Sequence, residues 1–432
     1  MKRRNFVKSL GLGLPAAAFS FGPAIMESAQ RFRPIKIAKV SSTAYSMPIP
    51  ASGYSSSERA GTKREWGRAL RTTPHRPDRV LEYIVVKIES DSGITGYGEA
   101  TPDIGFFGAT LEADKSAIDL YFGPKLIGRD PFDREEILRQ LDYRGNSCPR
   151  SAIDLALYDL MGKILGLPVY DLIGGLCRDR IPVEVEIGGG PPKEMTEACV
   201  KCVRQGVRAF KPKVGGYPEE DAERLRAIRE AVGRDVIIRA DANRGYTVKE
   251  AIQFCRLAEK YDVGLEYLEQ PVDAPDLQGM AEVRRSLNTL IVADESSFTI
   301  QDAMNVIRQG AADRLNIKIE KAGGLYNAKK IAAIAEAAGL DCVIGTAFGM
   351  GLTIAAKLHL AASTTIVHGA VEFTEIRLHD NLLAGPYDKL LALPLEDGCF
   401  PVPQGPGFGV AFDEARAKPY ISKIVKKEAR LP

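Results

Sequence analysis

The 432-residue chain has little of what marks several large classes of protein. It carries four histidines, no excess of either charge and, outside its N-terminal stretch, no apolar run near the roughly 20 residues that cross a bilayer. Lys and Arg number 58 against 56 Asp and Glu, a formal net charge of +2, so it offers no electrostatic footprint for nucleic acid or another polyanion. The scarcity of histidine also bears on the cysteines. Cys199 and Cys202 form a C-x-x-C, but neither a second pair nor a histidine cluster accompanies them and they fall in a helical pattern, so they read as small core residues rather than a zinc or redox site. Low-complexity tracts and solenoid repeats are missing too. What remains, 45% hydrophobic and 26% charged residues, excludes a disordered or fibrous chain and supplies a large core, divided over more than one domain.

Residues 1–30 stand apart. Arg3-Arg4-Asn5-Phe6-Val7-Lys8, the apolar stretch Leu10–Phe21 and the small residues near Ala24–Ala29 are laid out like a twin-arginine export signal. That layout predicts a periplasmic protein, without stable membrane insertion once the signal is removed, in a compartment that permits its seven cysteines to form disulfides. Next come strand patterns at Ile35–Tyr45, Tyr83–Glu89 and Ile94–Glu99, the last two joined as a hairpin through Asp91-Ser92-Gly93, then helical patterns at Leu111–Phe122, Arg134–Leu141 and Arg150–Leu165. Strands first and helices after predict a separate α+β domain over residues 31–165. The polar stretch Pro48–Pro77 and the glycine- and phenylalanine-bearing Thr101–Ala109 are its candidate lid loops.

From Ile181 to Ile376 one unit repeats: a short apolar run ending in charged residues, then a helical pattern. The runs are IPVEVEI, VRAFKPKV, VIIRADAN, LEYLEQP, IVADES, LNIKIEK, DCVIGTAFG and AVEFTEI. A period of roughly 25–30 residues is that of parallel βαβ units, and eight of them predict a (β/α) barrel over residues 175–376, whose strand ends converge on one mouth. Residues 377–432, rich in proline and glycine, are too short for a domain and are expected to pack back on the first one. Asp241, Glu269 and Asp294 end three consecutive runs; three adjacent carboxylates repel one another without a cation and suit a hard octahedral ion such as Mg²⁺. Lys211 and Lys213 alternate with Pro212 and so project to one side of their strand, and Lys318 ends the sixth run, across the mouth. A neighbouring ammonium, a divalent cation and partial burial all lower a lysine's pKa, which is what a neutral catalytic base requires.

Five motifs, the K-x-K of Phe210–Val214, the D-x-N of Asp241–Asn243, the E-Q-P of Glu269–Pro271, the A-D-E-S of Ala293–Ser296 and the N-I-K-x-x-K-A-G-G of Asn316–Gly324, follow in order and spacing those of the enolase superfamily. The chain resembles its muconate-lactonizing-enzyme subgroup (the mandelate racemase/muconate lactonizing enzyme family) over nearly everything after the signal. The resemblance implies a modified (β/α)8 TIM-type barrel under an α+β N-terminal capping domain, an essential Mg²⁺ held by Asp241, Glu269 and Asp294, and abstraction of the proton α to a carboxylate. By position, Lys213 and Lys318 become the acid/base groups on opposite faces of the substrate carbon, Lys211 holds the substrate carboxylate, and Asn243, Glu295 and Lys321 support the ligands from behind. Mandelate-racemase-like members and sugar-acid dehydratases use a histidine at the end of the seventh strand, where this chain has Gly345-Thr346-Ala347-Phe348, so the two-lysine arrangement stands. On the eighth strand, dipeptide epimerases carry a D-x-D that binds the substrate ammonium. Here Glu372 and Thr374 occupy the similar places, one carboxylate kept and the other replaced by a hydroxyl.

These residues imply a Mg²⁺-dependent racemase or epimerase acting on a small carboxylate, an amino-acid derivative or dipeptide-like substrate, in a homo-oligomer. The alternatives share the same enolate: a dehydratase of the hydroxyproline type, an o-succinylbenzoate synthase or a muconate cycloisomerase. A non-catalytic periplasmic binding protein predicts a damaged set of ligands and bases, and here the set is whole.

Overall fold

Alternating β-branched and polar residues build the first sheet of the computed structural model, which describes residues 35–49, 80–143 and 145–423. The signal-like segment 1–30 and, from residue 50 on, the loop expected at Pro48–Pro77 lie outside the described residues. Strands β1 (Ile37–Pro48), β2 (Val80–Ser90) and β3 (Thr95–Ala100) are antiparallel in that order, with Tyr45 opposite Tyr83 and Ile84 opposite Ala100. Against β3 lies the helix Ser147–Leu165, buried through most of its length as its apolar composition on all sides requires. Gly96 and Gly98 allow the contact: a Cβ on either would lie 2.2 and 2.0 Å from the carbonyl oxygens of Ala156 and Ala152.

Eight parallel strands follow: β4 (Arg180–Ile187), β5 (Ala209–Pro212), β6 (Ile237–Asp241), β7 (Leu265–Glu269), β8 (Leu290–Ala293), β9 (Arg314–Ile317), β10 (Asp341–Ile344) and β11 (Val371–Glu372). Each pairs with the next from β4 to β10, and β11 returns to β4 with Val371 beside Val183. An isolated parallel bridge between Cys342 and Val367 joins β10 to the segment leading into β11. Helices separate successive strands up to Gly351–Ala362, but after β11 there is a single 3₁₀ turn, Thr374–Arg377, where the eighth helix of a regular barrel would stand. The architecture is thus a modified (β/α)8 barrel with a capping domain. Capping boxes at Thr247/Glu250 and Thr299/Asp302 start two of the outer helices.

Inside the barrel, Tyr267, Val292 and Val343 form a small apolar cluster. Next to it Arg239, 1% exposed, pairs with Glu184 at 2.5 Å and Glu266 at 2.7 Å, because a buried guanidinium is tolerated only when paired. The C-terminal segment stitches the parts together: β12 (Cys399–Pro401) lies antiparallel on β4, Glu414 accepts from Lys87 at 2.8 Å and Tyr97 at 2.7 Å, and the Ser422 amide donates to the Ala44 carbonyl. All seven cysteines are free thiols, and Cys199 and Cys202 are buried on the helix Pro192–Arg204.

Candidate active site

The strand termini bring the predicted charges to one end of the barrel. Asp241 and Glu269 close β6 and β7, and Asp294 follows β8 directly. Lys211 lies in β5, Lys213 one residue past its end, and Lys318 one residue past the end of β9. In a ring of eight strands β5 and β9 are four apart, so Lys213 and Lys318 stand on opposite sides of the mouth with the three carboxylate strands between them.

Every oxygen of the three carboxylates is engaged. Asp241 Oδ2 accepts from Lys213 Nζ at 2.7 Å and its Oδ1 from the Asn243 amide at 2.9 Å. Glu269 Oε2 accepts from Lys211 at 3.0 Å and Oε1 from the Asn316 side chain at 2.7 Å. Asp294 Oδ2 accepts from Lys318 at 2.7 Å and Oδ1 from Lys321. Burial, opposed by Lys211 and reinforced by Asp241 and Asp294, pushes the Glu269 carboxyl up to about 8. Burial with the charges of Asp294 and Asp241 raises Glu295 to about 7. Asp294 goes the other way, since Lys318 and Lys321 outweigh its burial and hold it well below the usual carboxylate range. Among the described residues no three such groups form a ready-made metal cage, because the lysines occupy the oxygens. The donor chemistry nonetheless fits Mg²⁺: hard oxygens on adjacent strands, with Asp241 and Asp294 close enough to help raise the Glu269 carboxyl and the Asn316 Oδ1 atom buried and unpartnered beside them.

The lysines differ from expectation in one respect. Burial alone would lower Lys318, but Asp294, Glu269 and Glu372 together raise it above the ordinary lysine value, so in this arrangement it is an ammonium. Lys211, expected to hold the substrate carboxylate, is 2% exposed, and its ammonium is taken by Glu372 at 2.7 Å as well as Glu269. Its place is therefore beneath the mouth, as a fixed charge under Glu269. Glu372 is correspondingly paired with Lys211, and Lys211 and Lys318 hold it low against its burial. Thr374 opens the 3₁₀ turn rather than continuing β11; its hydroxyl donates to Glu372 at 3.2 Å and accepts from the Glu186 amide. Glu295 accepts from the Asn243 side chain at 3.2 Å, and Lys321 also donates to the Asp294 and Asn316 carbonyls.

Three contributors were not singled out in the sequence. Glu186 pairs with Lys213 at 2.8 Å; the alternation of Glu184 and Glu186 in β4 was the available signal. Gln270, inside the E-Q-P motif and at φ +34, accepts from the Asp294 and Ser296 amides and donates to Ser296 Oγ, fixing the turn that carries Asp294. From the capping domain, the ring of Phe106 lies over Lys318 Nζ, 4.5 Å from the centroid. At the seventh-strand position Thr346 bonds to Glu375.

Two family models match the chain: Mandelate racemase / muconate lactonizing enzyme, N-terminal domain, at residues 72–174, and Enolase C-terminal domain-like at 194–416. The L-Ala-D/L-Glu epimerase of Clostridium acetobutylicum is 36% identical over 329 residues, 76% of this chain and 90% of that protein. A hydrophobic dipeptide epimerase of Enterococcus faecalis is 40% identical over 282 residues, 65% of this chain and 78% of that one. The crystal structure of a dipeptide epimerase from E. faecalis complexed with Mg and the dipeptide L-Leu-L-Tyr superposes with a TM-score of 0.75 at 32% identity, covering 87% of this chain and 99% of that one. The comparisons also correct the expected location: periplasmic export is not supported by the similar epimerases. Among the described residues no helix is long and apolar enough to cross a membrane.

Proposed function

Given that this chain belongs to the mandelate racemase/muconate lactonizing enzyme family of the enolase superfamily and is an isomerase, we propose that it racemises or epimerises an amino-acid derivative at the carbon next to its carboxylate, with Lys213 and Lys318 as the two proton carriers. The observation that carries this is their placement on opposite strands of the ring. A substrate carbon held between them presents one face to each, so one lysine removes the proton and the other returns it from the opposite side, which inverts the centre. Elimination or cyclisation from the same enolate needs only one of them as base. Relatives named as epimerases and racemases favour the two-base reading.

Members of the superfamily use Mg²⁺, and Asp241, Glu269 and Asp294 are the residues that would hold it here. When bound, the ion supplies positive charge to the carboxylate end of the substrate as the enolate develops. The protein's own groups do the rest. With Asp294 and Glu269 engaged by a cation, Lys318 would lose the two largest charges that now raise it, leaving Glu372 alone to oppose the burial that lowers it toward a base. Glu186 remains beside Lys213 to orient it. Lys211, paired with Glu372 and held above the ordinary lysine value, keeps a permanent positive charge below the site. Gln270 and Lys321 fix the Asp294 turn.

The homo-oligomer expected from the sequence has support in exposed apolar side chains on the capping domain, Leu120, Tyr121 and Ile127 at 67%, 64% and 49%, and light scattering tests it. The reaction itself is tested by ¹H NMR in D₂O with Mg²⁺ and N-acyl amino acids or dipeptides. Loss of the α-proton signal with appearance of the second stereoisomer is expected; a vinyl or keto product instead would establish elimination.

A further inference from the structure

The aromatic side chains beside Lys318 come from two separate parts of the chain. Asp103 ties a tight turn by accepting from the Gly105 amide at 2.7 Å and the Phe106 amide at 3.0 Å, and the Phe107 amide donates to its carbonyl. This turn carries Phe106 out from the capping domain to Phe298, four residues beyond Asp294, with ring centroids 5.2 Å apart. Phe107 completes a triad, 5.0 Å from Phe106 and 6.3 Å from Phe298. All three rings are only partly buried. Partly open aromatic surface at the mouth of a charged site is unfavourable in water, and burying it against an apolar group regains roughly 25 cal/mol per Å².

We propose that Phe106, Phe107 and Phe298 form the side-chain subsite of this centre and select derivatives whose reacting carbon bears an uncharged, apolar side chain. The inference rests on the isomerase reading above. Its position follows from Lys318: the group that touches one face of the reacting carbon lies directly under the Phe106 ring, so a side chain on that carbon has this wall within reach. Its polarity follows from the same contacts. Rings of this kind also attract cations, but Lys318 Nζ lies 4.5 Å from the Phe106 centroid and Lys321 Nζ 5.4 Å from that of Phe298, so the enzyme's own amino groups already occupy the places a cationic side chain would take on those rings. An anionic side chain would desolvate against three phenyl rings and compete with Asp294 for the two lysines.

The test is α-proton exchange in D₂O with Mg²⁺ over L-Ala-L-Xaa dipeptides and their N-acetyl-L-Xaa counterparts, with Xaa as Leu, Ala, Glu or Arg. The leucine member of either series should exceed the arginine and glutamate members in kcat/KM by on the order of tenfold or more. In Phe106→Ala, and independently in Phe298→Ala, the Leu-to-Ala preference should fall by on the order of tenfold. Because each preference is a ratio within one preparation, a partly misfolded variant cannot imitate the result. Exchange that favours the arginine or glutamate member, or preferences unchanged in both variants, overturns the subsite and leaves the isomerase reading standing. Exchange with no member of the panel overturns both.

Discussion

If Lys213 and Lys318 each serve one face of the substrate carbon, as proposed, their removal should have separable consequences. Lys213→Ala and Lys318→Ala should both lose epimerisation by about 10²- to 10⁴-fold, the usual contribution of a general acid or base. Each should still wash the α-proton out of the one stereoisomer that faces the lysine it keeps. Exchange of the same isomer in both variants would show that one lysine is the only base and the other stabilises charge. For the metal, Mg²⁺ should raise the melting temperature of the wild type, and Glu269→Gln should abolish both turnover and that rise without destabilising the ion-free protein, since the buried carboxyl it replaces is already pushed up to about 8. A Mg²⁺-dependent shift retained in that variant would remove Glu269 from the ligand set. The two lysines and the carboxylates Asp241, Glu269 and Asp294 were legible in the sequence because each stands at a strand end within a recognisable motif. Partnerships were not. That Lys211 would be spent on Glu372 depends on β11 lying beside β4, a long-range closure no local pattern encodes.

Among the elements, β3 carries the least expected one: Glu99, fully buried, accepts from the Met350 amide and the Thr353 hydroxyl and so caps the helix Gly351–Ala362 across the domain boundary. Its other oxygen has no partner, and burial, only partly offset by those hydrogen bonds, pushes the carboxyl up to about 8. The folded state therefore holds a proton that the unfolded state releases near the ordinary carboxylate value. Stability should be greatest below that value and should fall as pH rises toward about 8, where the buried group ionises. Glu99→Gln keeps the acceptor and replaces the buried hydroxyl with an amide, so thermal melts from pH 5 to pH 8 should decline less in the variant than in the wild type. Parallel declines would mean that Glu99 is ionised in the fold throughout. Strand and helix order was readable from periodicity, including all eight barrel strands. The π-helical turn Ala117–Phe122, within the helix read over Leu111–Phe122, was not, because a π turn differs from an α-helix by one hydrogen-bond register and leaves the apolar pattern almost unchanged.

Across the whole molecule, the capping domain and barrel share a structural member. The helix Ser147–Leu165 packs on β3 by one side and reaches the turn after Lys318 by another: Gly323 and Gly324, at φ +77 and +118, approach Arg150 and Asp154 so closely that a Cβ would lie 2.5 Å from Arg150 Nε and 2.3 Å from Asp154 Oδ2. Both glycines are needed for their backbone angles as well as for the space. Asp154 also accepts from the Tyr326 amide at 3.1 Å, tying the helix to the start of the barrel helix Leu325–Ala337. Lys318 and Lys321 lie just before this contact, so domain packing and base position depend on the same few residues. Gly324→Ala must therefore push the helix and the turn apart. It should cost roughly 1–3 kcal/mol of stability and lower turnover, although residue 324 touches no substrate. Calorimetry should show one transition for the wild type and one, at lower temperature, for the variant, because neither domain has a separate face on which to keep that helix. Two resolved transitions in the wild type would show that the capping domain folds on its own. A variant that melts earlier but turns over at the wild-type rate would show instead that the position of Lys318 is set within the barrel alone.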